Sequence, residues 1–292
     1  MTPRSFAFAA AMLLLTKGVA ADGLRLRELE WTGAWPTFPR FRAVTSGDFE
    51  GDVEARIATR ADPVRYRACL AFYRLAAVLG SRVVPRTEVY PIHVREVLAA
   101  LSNDSRGLAL LRQGMAIHND GTVAVLVSAA VAGAREVDIN ASPEAVVWRS
   151  WAEGRQPVPP DRRALVGGYV EMLVLDYLTA NVGRRRVTVD SAAAGIYLTE
   201  NGTAWNDRAD PRAVNAIFSQ LKRVRGFSRR LFDGLRGFDR SKADETLHAG
   251  SFATWLVASH PMAAMMERKR ALLDLVEARM AEVGEASAVW YP

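Results

Sequence analysis

The sequence predicts an α+β fold in two lobes, a smaller β-containing lobe followed by a mainly helical one. Three observations lead there. A chain of 292 residues, 50% hydrophobic and 24% charged, can bury a large core, and its composition excludes disorder. Its first half is cut by turn residues into short segments, one of them strongly β-branched. Its second half, after the punctuation Pro157-Val158-Pro159-Pro160-Asp161, carries long stretches of helical periodicity. The lobes predicted on this basis cover about residues 22–150 and 151–292.

At the N-terminus, Met1 to Arg4 supply a positive start, Phe6 to Leu15 an apolar run, and Gly18 to Ala21 small residues before Asp22. That order predicts a cleaved signal peptide over residues 1–21 and an exported protein, periplasmic or secreted. The competing reading is a buried N-terminal helix. The apolar run is about half the ~20 residues that span a bilayer, and no later stretch is long and uncharged enough, so no transmembrane segment is expected. From there to about Pro63, short apolar segments between Gly, Pro and Asp read as loops and strands.

Leu70, Tyr73, Leu75 and Leu79 recur at roughly helical spacing and predict a helix over Val64–Leu79, stopped by Gly80. Arg82 to Pro91 alternates and contains Pro85 and Pro91, as an edge strand does. A helix follows over Pro91–Ala100, and Thr122–Ala132 reads as a strand pair. Beyond Asp161, apolar periodicity predicts a helix over Leu165–Leu178. Further helices are expected over Pro211–Leu235, Ser251–Ser259 and Pro261–Val283, with short strands at Val187–Val189 and Ile196–Thr199.

The formal charge of +6 arises from 38 basic and 32 acidic residues that are mixed rather than blocked, and no basic reading motif accompanies them. A nucleic-acid partner is therefore not expected. The cluster Lys222, Arg223, Arg225, Arg229 and Arg230 reads as one solvated helix face, with an acidic partner as runner-up. His93, His118, His248 and His260 lack metal-ligand spacing, and no Walker loop, nucleophile elbow or dinucleotide glycine pattern occurs. Cys69 is the only cysteine, so no intramolecular disulfide is possible. Set among Ala68, Leu70 and Phe72, it reads as a buried structural thiol and not as a nucleophile.

One motif goes further. Asp176-Tyr177-Leu178-Thr179-Ala180-Asn181-Val182-Gly183-Arg184 resembles the catalytic-loop segment of four-jointed and the Golgi-type secretory-pathway kinases, including bacterial relatives, which read Asp-Tyr-Leu-Thr-Ala-Asn-x-Asp-Arg. Where that family places a strand ending in Asp-Asn-Gly or Asp-Asn-Glu, this chain has Ile196-Tyr197-Leu198-Thr199-Glu200-Asn201-Gly202-Thr203-Ala204-Trp205. Ala71 to Pro85 is similar to the family's regulatory helix and the turn after it, and Glu267 to Tyr291 to the C-terminal end of bacterial members. The resemblance implies a two-lobed protein-kinase-like fold over most of residues 40–292.

It also shows what is missing. Phosphoryl transfer needs a carboxylate to take the substrate hydroxyl's proton and further carboxylates to hold metal on the phosphates. The family's catalytic aspartate falls on Gly183, which has no side chain, and its metal-binding aspartate on Glu200, one methylene longer. The helix glutamate that pairs with the phosphate-binding lysine falls on Cys69. No lysine occurs between Lys17 and Lys222, which leaves Arg56 or Arg60 as replacements, neither a neutral swap. The phosphate-covering loop falls near Thr45–Asp52, where three acids would repel phosphate.

The expectation is a degenerate, catalytically inactive relative serving as a binding or allosteric module, with an active related kinase or another exported protein as partner and no cofactor. Its vestigial pocket would be lined by Asn181, Arg184, Asn201 and Glu200, with Arg60 reaching in to pair with Glu200. A simpler reading gives Asp176, Asn181 and Arg184 purely structural roles. The alternative function is a nucleotide-dependent phosphotransferase with an altered metal site, in which Glu200 and Asp190 hold Mg or Mn for ATP.

Overall fold

The computed structural model describes residues 24–32, 39–47, 49–190, 195–248 and 256–291. The signal-peptide expectation over 1–21, and residues 251–255 of the expected Ser251–Ser259 helix, lie outside them.

The first lobe opens with an antiparallel meander of β1 (Leu24–Trp31), β2 (Arg40–Gly47) and β3 (Gly51–Ile57). In β3, Val53, Ala55 and Ile57 share the core face, so strand parity turns Glu54 and Arg56 to the opposite side. Helix α1 (Arg65–Val78) is followed by β4 (Thr87–His93), α2 (Val94–Ala100), α3 (Ser105–Gly114) and β5 (Thr122–Ala129). The sheet order β1-β2-β3-β5-β4 leaves β4 at an edge, where Pro91 costs no inner ladder bond. Thr122–Ala129 is one central strand and not the expected strand pair. Val123 to Val127 are at most 2% exposed, because covering on both faces replaces alternation with a continuous apolar run.

The second lobe contains β6 (Arg135–Asp138), α4 (Pro143–Ala152), α5 (Arg163–Thr179), β7 (Arg186–Val189), β8 (Ile196–Tyr197), α6 (Pro211–Leu221), β9 (Phe227–Ser228), α7 (Arg229–Gly237), α8 (Arg240–Thr246), α9 (Ser259–Val283), α10 (Glu285–Ala288) and β10 (Val289–Tyr291). Residues 165–179 of α5 are all buried, because α4, α6 and α9 surround the helix. β6 pairs with β7, which pairs with β8.

The expected Pro211–Leu235 helix is broken. After Leu221 the chain runs out of helix, and Phe227 and Ser228 pair in parallel with Val289 and Tyr291 of β10. Gly226 sits so close to Trp290 that a Cβ there would lie 2.0 Å from its Nε1. The break also splits the basic cluster, which is not one solvated face. Lys222 caps α6, Arg223 Nε donates to Glu153 Oε1 at 2.8 Å, and Arg229 pairs with Glu285.

The C-terminal end of α1 is fastened to the second lobe. A Cβ at Gly234 of α7 would lie 2.4 Å from the Leu79 carbonyl oxygen, so only glycine permits that approach. Beside it, the Ser81 hydroxyl donates to Glu171 Oε2 of α5 at 2.5 Å. Burial pushes the Glu171 carboxyl above its ordinary pKa. Among the described residues, no helix is long and apolar enough to cross a membrane.

Candidate functional site

At the end of α5, Ala180 adopts the left-handed conformation (φ 52°, ψ 39°) and turns the chain back on the helix. That turn brings the Asn181 backbone N–H to the Asp176 carbonyl at 2.9 Å and its Nδ2 to Asp176 Oδ1 at 2.9 Å. Arg184 then grips the same carboxylate as a fork, Nε to Oδ2 at 2.7 Å and Nη2 to Oδ1 at 2.8 Å.

The strand segment after β8 closes the arrangement. Arg184 Nη2 donates to Asn201 Oδ1 at 2.7 Å and Nη1 to the Glu200 carbonyl at 3.3 Å. Asn201 Nδ2 donates to the Leu198 carbonyl at 2.8 Å, and Thr203 Oγ1 to Asn181 Oδ1 at 2.5 Å. From the first lobe, the Phe72 ring lies 5.5 Å from the Arg184 guanidinium. Asp176, Asn181, Arg184 and Asn201 are each at most 7% exposed. Burial raises the Asp176 carboxyl pKa, while the charge and hydrogen bonds of Arg184 and the Asn181 amide work against that rise.

Outside this network lies a cleft of about 440 Å³, whose lining includes Gly183, Glu200, Thr203 and Arg56, Arg65, Arg184, Arg185 and Arg186. Gly183 is exposed, and a Cβ there would meet Thr203 Oγ1 at 3.2 Å. Arg56 is 5% exposed; its Nε and Nη2 donate to Glu54 Oε1 at 3.1 and 2.9 Å, and Nη2 lies 3.9 Å from Glu200 Oε1. Burial works to lower the Arg56 pKa, and the charges of Glu54 and Glu200 help to overcome it and leave the pKa raised. Cys69 of α1 is buried next to Arg56, and burial pushes its thiol up to about 11.

The structure gathers Asn181, Arg184 and Asn201 into a closed network around Asp176, and of the three only Arg184 belongs to the cleft lining. Arg60 does not join them. It lies exposed beyond the end of β3 and does not line the cleft, and Arg56 faces Glu200 instead. The alternation Val53-x-Ala55-x-Ile57 carried that information, because it sets Arg56 on the face away from the first-lobe core. Thr45–Asp52 forms the β2–β3 hairpin, with Gly47 and Gly51 at positive φ; its described residues are absent from the cleft lining, and Asp48 lies outside the described residues. Asp190 accepts from the Tyr197 hydroxyl at 3.4 Å and does not line the cleft either.

These donors do not fit a divalent cation. Hard cations take several oxygen ligands, whereas the described cleft lining holds five arginines and the single carboxylate of Glu200. Among the described residues no group of three His, Cys, Asp or Glu side chains is placed to hold a metal.

No protein-family model matches the chain, and no curated protein is significantly similar to it. Solved structures are. The Golgi casein kinase with Mn/ADP bound superposes with a TM-score of 0.64 over 96% of this chain and 79% of that one, at 14% identity. A second structure of the Golgi casein kinase gives 0.62 over 92% and 76%, at 13% identity. Hydra Fam20 with sugar gives 0.62 over 91% and 88%, also at 13% identity. The chain has a kinase-like fold. In this kinase-like frame the sheet of β1 to β5 is the smaller lobe, α5 is the core helix of the larger one, and the arginine-lined cleft lies between them.

Proposed function

We propose that this kinase-like protein is a pseudokinase, a non-catalytic kinase fold that serves as a binding or allosteric module. Gly183 carries the reading. Where the family resembled has its catalytic aspartate, this chain offers the cleft a bare backbone beside Thr203. Two further positions support it: Arg56 stands where the resemblance calls for a lysine, and buried Cys69 where it calls for the glutamate that pairs with that lysine. If residues 1–21 act as a signal peptide, the module works outside the cytoplasm, with an active related kinase or another exported protein as its partner.

The experiment is phosphate transfer from labelled ATP to a casein-like acceptor with Mg or Mn. No metal-dependent transfer is expected, since a missing base typically costs about a hundredfold or more. The double substitution Gly183→Asp with Glu200→Asp is expected to leave the protein inactive, because Arg56 and Cys69 remain. Robust transfer by the unaltered protein, lost in Glu200→Ala, would overturn the reading and establish a phosphotransferase with an altered metal site.

A further inference from the structure

We infer that an ion-pair clasp, running Arg186–Glu136–Arg40–Glu54–Arg56–Glu200, holds the two lobes closed, and that its release is the switch of the module. The inference deepens the allosteric-module reading and rests on it. Strand register sets the clasp up. In the β2–β3 ladder Arg40 stands directly opposite Arg56, a like-charge pair that is unfavourable by itself. Glu54, on the same face of β3 as Arg56, serves both: Arg56 Nη2 lies 2.9 Å from its Oε1 and Arg40 Nη1 3.7 Å from its Oε2. In the second lobe Glu136 of β6 pairs with Thr188 of β7, which makes Arg186 its diagonal neighbour.

The two halves then meet. Arg40 Nη1 of the first lobe donates to Glu136 Oε1 of the second at 3.0 Å, while Arg186 Nη1 donates to Oε2 of the same carboxylate at 3.0 Å. At the other end Arg56 Nη2 lies 3.9 Å from Glu200 Oε1, so the clasp leaves the second lobe at Glu136 and returns to it at Glu200. Charge alternates in sign along all six groups, and a network of this kind contributes more than isolated surface pairs do. Apart from Arg186, no member's side chain is more than 34% exposed, which limits screening by salt. Partial burial works to raise the Glu136 pKa; Arg40 and then Arg186 overcome it and hold the carboxyl below its ordinary value, so it is charged at neutral pH. The lobes are thus joined in two ways. At Leu79 and Ser81 the joint is packing and a buried hydrogen bond, whereas at Glu136 and Glu200 it is charge. A partner that takes Arg40 or Glu136 to itself releases the second joint and leaves the first as the pivot.

The test is double electron–electron resonance on the full chain with spin labels at Asn103→Cys in the first lobe and Gln156→Cys in the second, both exposed positions. Cys69 is buried and should stay unlabelled. With the clasp intact, one narrow distance distribution is expected. Glu136→Gln keeps the shape of the side chain and removes the charge that Arg40 and Arg186 share, and it should broaden the distribution and shift it to longer distance. About 1 M NaCl, which cuts the Debye length to about 3 Å, should do the same with the clasp residues unaltered. Glu30→Gln removes the exposed Arg42–Glu30 pair from the same sheet and should change nothing. The salt arm keeps the test decisive if Glu136→Gln fails to fold. A broad distribution at the outset, no change in Glu136→Gln or in salt, or an equal shift in Glu30→Gln overturns the inference. No arm contains ATP or an acceptor, so the clasp and the pseudokinase reading can fail separately.

Discussion

The turn after α5 has a buried face and a cleft face, and they are built on opposite rules. On the buried face Asp176, Asn181, Arg184 and Asn201 satisfy one another through bonds of 2.7 to 2.9 Å. On the cleft face, one residue from Arg184, Gly183 contributes no functional group, and the surrounding Arg56, Arg65 and Arg186 each pair with a separate carboxylate, Glu54, Asp62 and Glu136, rather than with one another's partners. Deleting any buried member would strand the others without partners in a dry site, a cost of folding paid whether or not the protein catalyses anything. A catalytic side chain on the cleft face has no such hold. This explains how the segment Asp176 to Asn181 can match an enzyme motif in a chain that lacks the motif's acid. The motif marks scaffold as much as chemistry.

The largest effect is expected from Asp176→Ala. It leaves the Arg184 charge buried without its carboxylate and should cost about 3–5 kcal/mol in chemical denaturation. A loss under about 1 kcal/mol would mean that the buried face is not structural. Cys69, at the border of the two faces, offers a second measure. With its thiol pushed up to about 11 from 9.0, thiolate at pH 8 is roughly a hundredfold scarcer than in the unfolded chain. Alkylation by iodoacetamide should therefore be slow in the native state and fast in denaturant; rapid native labelling would show that the cleft opens as far as Cys69. The smallest effect belongs to Ala180→Gly, which relieves a left-handed alanine and should stabilise by about 0.5–1 kcal/mol if the turn is as rigid as the buried bonds imply.

Much of the architecture was legible in the sequence because its signals are local. The helix over Leu165–Leu178 follows from apolar periodicity after the proline run and Asp161, and the edge strand from alternation and its two prolines. What was missed depends on distant partners. Val224, Phe227, Leu231 and Leu235 keep apolar spacing across the break after Leu221, and only the pairing of Phe227 with Val289 shows that the helix has ended. Thr122–Ala129 did not alternate because both its faces are covered, by elements from both sides of it in the sequence. In the site, the motif identified Asn181, Arg184 and Asn201 as neighbours. That they turn inward to Asp176 is set by the left-handed Ala180, which no residue preference announces, since alanine seldom adopts that conformation. The sequence does not mark the strand's end at Ile57, which is what separates Arg56 on the strand from Arg60 beyond it.

The close contact between Gly234 and Leu79 has a mechanical meaning. Helix α1, 14 residues and roughly 21 Å long, is fixed at that end and carries Arg65 at the other, in the wall of the cleft. Such a helix is a lever with its fulcrum in the larger lobe. A tilt of about 10° displaces its far tip by roughly 4 Å while the anchored end stays still. Val64, 49% exposed just before that tip, gives a partner somewhere to push. Force applied there would arrive in the cleft as a moved guanidinium.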